Sequence, residues 1–290
     1  MIVDSHAHLE TAIPGVFTNP DRTSQTYLLM WSYEILGFRN PLWRGSPPAP
    51  GRVVIALENQ LRLSMGCKKN LLAYMDKNGI DRSVVLPIAP FSTSRQYLES
   101  CRGSDRLIPF ASVSREGDWE SDLKYAMEAG CRGLKIHPIL QKTPPEDSFY
   151  FDLLEAFRPY GRPVLAHTGE FDYFIPKDPC AVYGDTGRFE RLVSAFPDVP
   201  FILGHMGLYY PEQALDLASR YESIYLEISF QSITTVRKAI SVAGRDRVMF
   251  GSDWPESNQK YALRIARRAS SGDDDLRDKL LGGNILALVS

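Results

Sequence analysis

Short runs of apolar, often β-branched residues recur along the whole chain, with turn-forming or polar positions at their ends. Runs of this kind predict buried β-strands, and eight of them stand at residues 2–5, 83–88, 107–113, 133–136, 163–166, 201–204, 224–229 and 248–252. Most are separated by stretches with the apolar spacing of helices, at residues 68–78, 119–129, 149–160, 187–196, 211–221, 233–243 and 259–269. Strands and helices that alternate in units of about 35 residues predict an α/β protein with a (β/α)8 TIM barrel.

The predicted helix ends carry residues that stop or start helices. Asp118 and Asp185 stand where a side chain can cap a helix N-terminus. Gly79, Gly130 and Gly161 follow directly after predicted helices, where glycine adopts the left-handed conformation at least cost. These positions support the helix boundaries.

The connection after the first strand interrupts the regular spacing. Residues 11–50 form a long insertion with six prolines and six aromatic residues. Because β-to-α loops lie on the catalytic face of a barrel, we expect either a lid or a packed excursion with its own small core. Arg39 and Arg44 within it are candidates for binding a substrate carboxylate. The alternating strands and helices predict one domain over residues 1–290, with an extra closing helix at 273–288.

Composition and charge exclude several classes of function. With 290 residues, 44% hydrophobic and 23% charged, the chain is typical of soluble globular proteins. A formal net charge of -2 without long charged blocks disfavours nucleic acid and membrane partners, and no apolar run reaches membrane-spanning length. The first predicted strand follows Met1 directly, so we expect no signal peptide. The four cysteines form no CxxC pair and fit the reduced thiols of a cytoplasmic protein. The sequence is also compatible with a homo-oligomer.

The chemistry of the chain is concentrated at strand ends. All five histidines lie in segments predicted as ends of buried strands: His6, His8, His137, His167 and His205. Asp253 ends a further predicted strand. Imidazole is the commonest metal ligand in proteins, because its neutral nitrogen is available near pH 7. This distribution predicts one metal-centred site.

Strand geometry predicts how these ligands meet. His6 and His8 are two residues apart and therefore point to the same side of their strand. His167, His205 and Asp253 end the fifth, sixth and eighth strands, and the ends of barrel strands converge on one rim. Imidazoles and a carboxylate suit zinc or another divalent transition metal.

The motifs DSHAH, KIHP, AHTGE, LGHMG and FGSDWP, followed by GGNILAL, resemble those of the amidohydrolase superfamily. The resemblance spans the chain and is to the amidohydrolase-related (amidohydrolase 2) branch, which includes enzymes like aminocarboxymuconate-semialdehyde decarboxylase. It implies that His6, His8, His167 and Asp253 bind the metal. It further implies that His205 is an acid/base that orients or deprotonates a metal-bound water, with Asp253 as a second proton carrier.

Lys135 leaves the number of metals open. It lies two residues before His137, so both side chains should face the barrel mouth. In binuclear members of the superfamily a strand-four lysine is carboxylated and bridges two metals, whereas mononuclear relatives of this branch use no such bridge. We favour one Zn²⁺, with Lys135 and His137 contacting substrate, and a second metal if Lys135 is carboxylated. TatD-type deoxyribonucleases carry a glutamate at this position, which disfavours a nuclease.

Two enzymatic functions follow from these residues. We predict a metal-dependent hydrolase that uses a metal-activated water to cleave an amide, lactone or ester-like bond of a small molecule. The alternative is a metal-dependent, nonhydrolytic decarboxylase or hydratase of a small carboxylated substrate, which needs a basic residue such as Arg95 at the carboxylate. A sensor with a vestigial metal site is disfavoured, because no ligand position is replaced.

A few further polar residues are candidates for holding a ligand imidazole in position: Glu10, Glu170, Asp172, Glu227 and Ser229. Among them Glu170 is favoured, because it is close in sequence to His167. Trp254 follows Asp253 and is expected to form part of the pocket wall.

Overall fold

The computed structural model of the protein describes residues 1–9, 61–171 and 179–290. The predicted lid at residues 11–50 lies outside the described residues, as do Arg39, Arg44, Glu10 and Asp172.

Parallel strands form the centre of the fold. They are β1 (Val3–Ala7), β2 (Arg82–Val85), β3 (Leu107–Pro109), β4 (Leu134–Ile136), β5 (Val164–His167), β6 (Phe201–Gly204), β7 (Ile224–Glu227) and β8 (Val248–Met249). Hydrogen bonds join neighbouring strands in two runs, β1-β2-β3 and β4-β5-β6-β7-β8. The isolated parallel bridges Ala111 to Leu134 and Ala7 to Trp254 join these runs at both seams. The ring confirms the predicted (β/α)8 barrel.

Helices cover the outside of the ring. In chain order they are α1 (Lys68–Asn78), α2 (Ser94–Cys101), α3 (Trp119–Glu128), α4 (Ser148–Phe157), α5 (Glu190–Ala195), α6 (Pro211–Arg220), α7 (Ile233–Ala243), α8 (Gln259–Ala269), α9 (Asp274–Asp278) and α10 (Asn284–Val289). The predicted caps are present: Asp118 accepts a hydrogen bond from the Ser121 amide, and Gly79 has a φ of 67°.

Helix α2 was not predicted. Its buried residues are Ser94, Tyr97 and Cys101, so its inner face carries too few large apolar side chains for a clear periodic signal. Its start is instead marked by a capping box, in which the Thr93 hydroxyl and the Gln96 side chain each bond the other residue's backbone amide.

The closing helix predicted at 273–288 is interrupted. A π-helical turn at Lys279–Gly283 separates α9 from α10. Gly282 lies against the first strand, where an added β-carbon would be 2.6 Å from the carbonyl oxygen of Met1. Ile285 and Val289 of α10 then pack into the cluster that fills the barrel interior.

Alternation along the strands separates two apolar clusters. The inner cluster takes one residue from each of six strands: Val3, Val84, Ile108, Leu165, Ile202 and Met249. Their strand neighbours, such as Leu134, Ile136 and Ala166, pack against the helices in the outer cluster. By the same alternation Lys135 on β4, His167 on β5 and Glu227 on β7 point into the barrel. The fold therefore places ionisable side chains directly above an apolar interior.

Candidate active site

All seven predicted site residues line one pocket at the carboxyl ends of the strands. They are His6, His8, Lys135, His137, His167, His205 and Asp253, and the pocket has an empty volume of about 670 Å³. Its remaining described walls are largely apolar and include Leu63, Ile88, Leu140, Phe171, Leu208 and Phe230. A small concave site with a few convergent polar groups is typical of a pocket for a small molecule.

A change of register in β1 turns His6 into the barrel. The pairing of β1 with β2 shifts between Asp4 and Ala7. Val3 also packs in the barrel interior, and regular alternation would point residues three apart to opposite faces. Buried Asp4 anchors this segment, because its carboxylate accepts hydrogen bonds from the Ser252 amide at 2.9 Å and the Ser252 hydroxyl at 2.6 Å. Asp4 stands in the DSHAH motif but was not among the predicted site residues.

His6, His8 and Asp253 form a compact set of ligand atoms. The Nε2 atoms of His6 and His8 lie 3.2 Å and 3.1 Å from the same oxygen, Oδ1 of Asp253. Three such donors within 4.8 Å of one another can surround a single cation. Two imidazole nitrogens and a carboxylate oxygen are the donor types that divalent transition metals prefer.

The outer nitrogen of each of these two rings is also held. His6 Nδ1 lies 2.9 Å from Glu227 Oε2, and His8 Nδ1 lies 2.7 Å from the Leu86 carbonyl oxygen. A ring whose Nδ1 donates to an oxygen must present Nε2 without a proton when it is neutral. Burial lowers the pKa of His6 well below its usual value, which favours its neutral form. With Nδ1 turned to these oxygens, Nε2 is the nitrogen of each ring that is left to face a cation.

His167 and His137 stack on each other at the edge of this set. Their ring centroids are 4.0 Å apart with an interplanar angle of 7°, and Phe171 packs edge-on against both. His167 Nε2 lies 3.1 Å from the Gly169 carbonyl oxygen. In the described residues, the groups of metal-type donors are His6 with His8 and Asp253, and His6 with His205 and Glu227, so His167 belongs to neither.

His205 lies behind the first set. Its ring stacks on that of His6 at 4.7 Å, and its Nδ1 is 2.6 Å from the Ser229 hydroxyl oxygen. Its Nε2 faces Asp253 Oδ2 at 3.9 Å. The ring is thus close to the Asp253 carboxylate without touching it, which is the arrangement needed to exchange a proton with a group bound between them.

Lys135 and Glu227 are two buried ionisable residues beside His6. Lys135 Nζ is 3.4 Å from His6 Nε2, and burial lowers its pKa to about 8 against the opposing effect of Asp253 and Glu227. Burial also raises the pKa of Glu227 to about 8, although hydrogen bonds from Ser229 and His205 oppose the change. The predicted contacts of Glu227 and Ser229 with the site histidines are present, because Glu227 lies at hydrogen-bond distance from His6 and Ser229 from His205.

Three other expectations about single residues are wrong. Glu170 does not contact His167 and lines a separate pocket with Asp185, Thr186 and other residues. Trp254 is fully buried against Tyr74, and Pro255 and Glu256 line the active-site pocket in its place. Arg95 is exposed on α2 with its guanidinium 3.6 Å from the centroid of Tyr125. Glu170 and Trp254 were inferred from sequence proximity, which does not fix the direction of a loop side chain, and Arg95 was a candidate only because it is basic.

Unusual backbone conformations concentrate at the pocket. Six described non-glycine residues have positive φ, and four of them line the pocket: His205, Leu208, Phe230 and Asp253. His205 and Asp253 have φ values of 65° and 57°. Such conformations are costly outside glycine and persist where the surroundings hold a functional side chain in place.

The sequence model of the amidohydrolase family matches residues 3–290. The chain belongs to the amidohydrolase family. A search of curated proteins finds no match to this amidohydrolase.

Solved structures share the fold of this amidohydrolase over nearly its whole length. The 5-carboxyvanillate decarboxylase of Sphingomonas paucimobilis aligns with a TM-score of 0.69 at 16% identity, covering 99% of this chain and 98% of that one. A second 5-carboxyvanillate decarboxylase, from Novosphingobium aromaticivorans and with bound manganese, aligns with a TM-score of 0.63 at 17% identity, covering 98% and 95%. A protein described as a 2-pyrone-4,6-dicarboxylic acid hydrolase of Acinetobacter baumannii aligns with a TM-score of 0.61 at 14% identity, covering 99% and 98%. These similarities support the TIM-barrel fold.

Two further observations bear on the setting of the amidohydrolase. None of the helices in the described ranges is long and apolar enough to cross a membrane. None of the four cysteines forms a disulfide, and Cys101 and Cys131 are buried.

Proposed function

We propose that this amidohydrolase is a metal-dependent hydrolase of a small organic substrate with an amide, lactone or ester-like bond. The observation that carries the proposal is the convergence of His6 Nε2 and His8 Nε2 on one oxygen of Asp253, inside a pocket of small-molecule size. Two rings locked by Glu227 and Leu86 and a carboxylate have no purely structural need to meet in this way.

One divalent cation, Zn²⁺, would be held by His6, His8, His167 and Asp253. The fit rests on the donor set and on the oxygen partners behind His6 and His8, which are the supports that metal-binding imidazoles use. His167 would complete the set by giving its Nε2 to the cation instead of the Gly169 carbonyl. When bound, a divalent cation lowers the pKa of a coordinated water to about 7 and polarises a carbonyl.

The proton transfers would belong to His205 and Asp253. His205 Nε2, with its Nδ1 held by Ser229, would accept a proton from the attacking water. Asp253 Oδ2, 3.9 Å from that nitrogen, would receive this proton from His205 once the two atoms approach to hydrogen-bond distance, and would pass it to the leaving group, which returns both residues to their starting state. Lys135 and His137 line the same pocket and would contact the substrate.

A decarboxylase or hydratase is the second candidate. Among the described residues that line this pocket, Lys135 carries the basic side chain of lysine or arginine type. An ammonium there can meet a substrate carboxylate. If Lys135 were carboxylated, it would instead be an anion able to bridge two metals, so the state of Lys135 decides the metal count.

The wider setting is also a proposal. We propose a single catalytic domain over residues 1–290 with a lid at 11–50, located in the cytoplasm, where thiols stay reduced. Its partner would be a small molecule, with no nucleic acid or membrane surface involved, and the oligomeric state stays open.

The experiment is a screen of lactones, amides and aromatic carboxylates with metal-loaded protein, paired with metal analysis. Hydrolysis in ¹⁸O-labelled water would place the label in the acid product, whereas decarboxylation would release CO₂ and leave an organic product that has lost one carboxyl group. His8→Ala is the matched control, since it removes one donor from the partly exposed side of the set. Turnover that is equal in wild type and His8→Ala would refute the metal-dependent function.

A further inference from the structure

We propose that Glu227 is a positioning residue that fixes the tautomers of two site histidines at once, His6 directly and His205 through the hydroxyl of Ser229. The proposal deepens the proposed function, because it assigns the nitrogen of His205 that would act as the base. It concerns the protein without metal or substrate, so it can be tested separately.

One oxygen of the Glu227 carboxylate contacts three hydrogen-bonding groups. Glu227 Oε2 lies 2.9 Å from His6 Nδ1, 2.8 Å from Ser229 Oγ and 3.1 Å from the His205 amide nitrogen. The other oxygen, Oε1, accepts from the Ser229 amide at 2.5 Å. Since both oxygens accept from backbone amides, which can only donate, the carboxylate cannot turn without losing one of these bonds.

The hydroxyl of Ser229 carries a single hydrogen, and this decides the direction of the chain of bonds. When Glu227 is ionised, Ser229 Oγ donates that hydrogen to Glu227 Oε2, so its contact with His205 Nδ1 at 2.6 Å must be one in which it accepts. His205 therefore carries its proton on Nδ1 and leaves Nε2 unprotonated. His6 reaches the same tautomer through its own bond to Glu227.

The result is that both Nε2 lone pairs face Asp253. They lie 3.2 Å (His6, to Oδ1) and 3.9 Å (His205, to Oδ2) from the two oxygens of that carboxylate. One nitrogen is thus prepared to bind a cation and the other to take a proton. A neutral imidazole with the opposite tautomer could do neither at this place.

Packing keeps the carboxylate in this position. Glu227 and Ser229 are fully buried. Gly251 on the neighbouring strand end lies against Glu227, and a β-carbon added there would be 2.5 Å from Oε1. Glutamate therefore fits only because this neighbour has no side chain.

The test reads the tautomers directly. Long-range ¹H–¹⁵N spectra of metal-free protein report which ring nitrogen carries hydrogen, and the chain has only five histidines to resolve. Signals of His205 and His6 are assigned by their loss in His205→Asn and His6→Ala. The spectra are recorded at pH 9, where Glu227 is ionised, and in wild type we expect both rings to be protonated on Nδ1 alone.

Ser229→Ala should then release His205 from this tautomer while His6 keeps it, which makes His6 the internal control. Glu227→Gln should disturb both rings, because an amide nitrogen would face a backbone N–H in either orientation. Ser229→Thr retains the hydroxyl and should restore the wild-type spectrum. If Glu227→Gln does not fold, Ser229→Ala alone still decides the relay.

Binding and kinetics provide a second readout. Apparent Zn²⁺ affinity should fall about 10- to 100-fold in Glu227→Gln and much less in Ser229→Ala. In Ser229→Ala kcat should fall about tenfold with KM unchanged, as the loss of an outer partner predicts. A wild-type His205 protonated on Nε2, or a His205 spectrum unchanged by Ser229→Ala, would overturn the proposal. Loss of metal in His6→Ala tests the proposed function and does not depend on this result.

Discussion

Replacing His205 by Asn should separate proton transfer from metal binding. The change removes Nε2, which lies 3.9 Å from Asp253 Oδ2 in wild type. The shorter asparagine amide can still donate to the Ser229 hydroxyl, which in wild type lies 2.6 Å from His205 Nδ1. The backbone amide of residue 205 keeps its bond to Glu227. The variant therefore loses the proposed base and little else.

The expected size of the effect follows from that role. Removal of a general acid/base costs about two to four orders of magnitude in turnover, or about 3 to 5 kcal/mol of transition-state stabilisation. Metal content should stay at the wild-type level, because His6, His8 and Asp253 form their group without His205. The measurements are kcat on a substrate from the screen and metal per chain by elemental analysis.

The structure supplies a specific way for this reasoning to fail. A second group of donors consists of His6, His205 and Glu227. If His205→Asn loses as much metal as His6→Ala, then His205 is itself a ligand and a binuclear centre gains support. Wild-type turnover with full metal content would refute the base assignment.

Three further predictions concern separate parts of the molecule. Lys135→Ala should keep about one metal per chain without rescue by short carboxylic acids; loss of a metal with rescue would show a bridging carbamate. Gly133→Ala should lower the free energy of unfolding by about 1 to 3 kcal/mol in urea titrations, because its β-carbon would lie 2.4 Å from the buried Phe110 ring; an unchanged midpoint would contradict the tight packing. Burial raises the pKa of the Cys101 and Cys131 thiols to about 12, so at pH 8 they stay protonated; a thiol reagent should label only Cys67 and Cys180 before unfolding, and four fast-reacting thiols would contradict this.

The barrel could be predicted because its elements repeat one strong pattern. The predicted bounds of Lys68–Asn78, Ile233–Ala243 and Gln259–Ala269 match the structure, since each runs for 11 residues and has clear ends. Helix α2 has only 8 residues, and its capping box is the sign that marks it. At the break Gly282 lies against Met1, which is distant in sequence, so this contact could not be read from the local pattern.

The residues of the site could be predicted from the sequence, but the hydrogen bonds between them could not. Strand ends in a barrel converge, so the position of His6, His8 and Asp253 on those ends was enough to bring them together. The hydrogen bonds of Glu227 depend on how β1, β6 and β7 sit beside one another, which no single segment of sequence encodes. The contact of His167 with the Gly169 carbonyl depends on the direction of a loop, which spacing also leaves undetermined.

The most direct test of the account is metal per chain, measured side by side in wild type, His6→Ala and His167→Ala. The account predicts about one divalent metal in wild type and loss of most of it in both variants, with unchanged circular dichroism, because ligands on the rim contribute to function more than to the core. Full metal occupancy in His6→Ala would contradict the metal centre itself. Full occupancy in His167→Ala would remove that histidine from the ligand set.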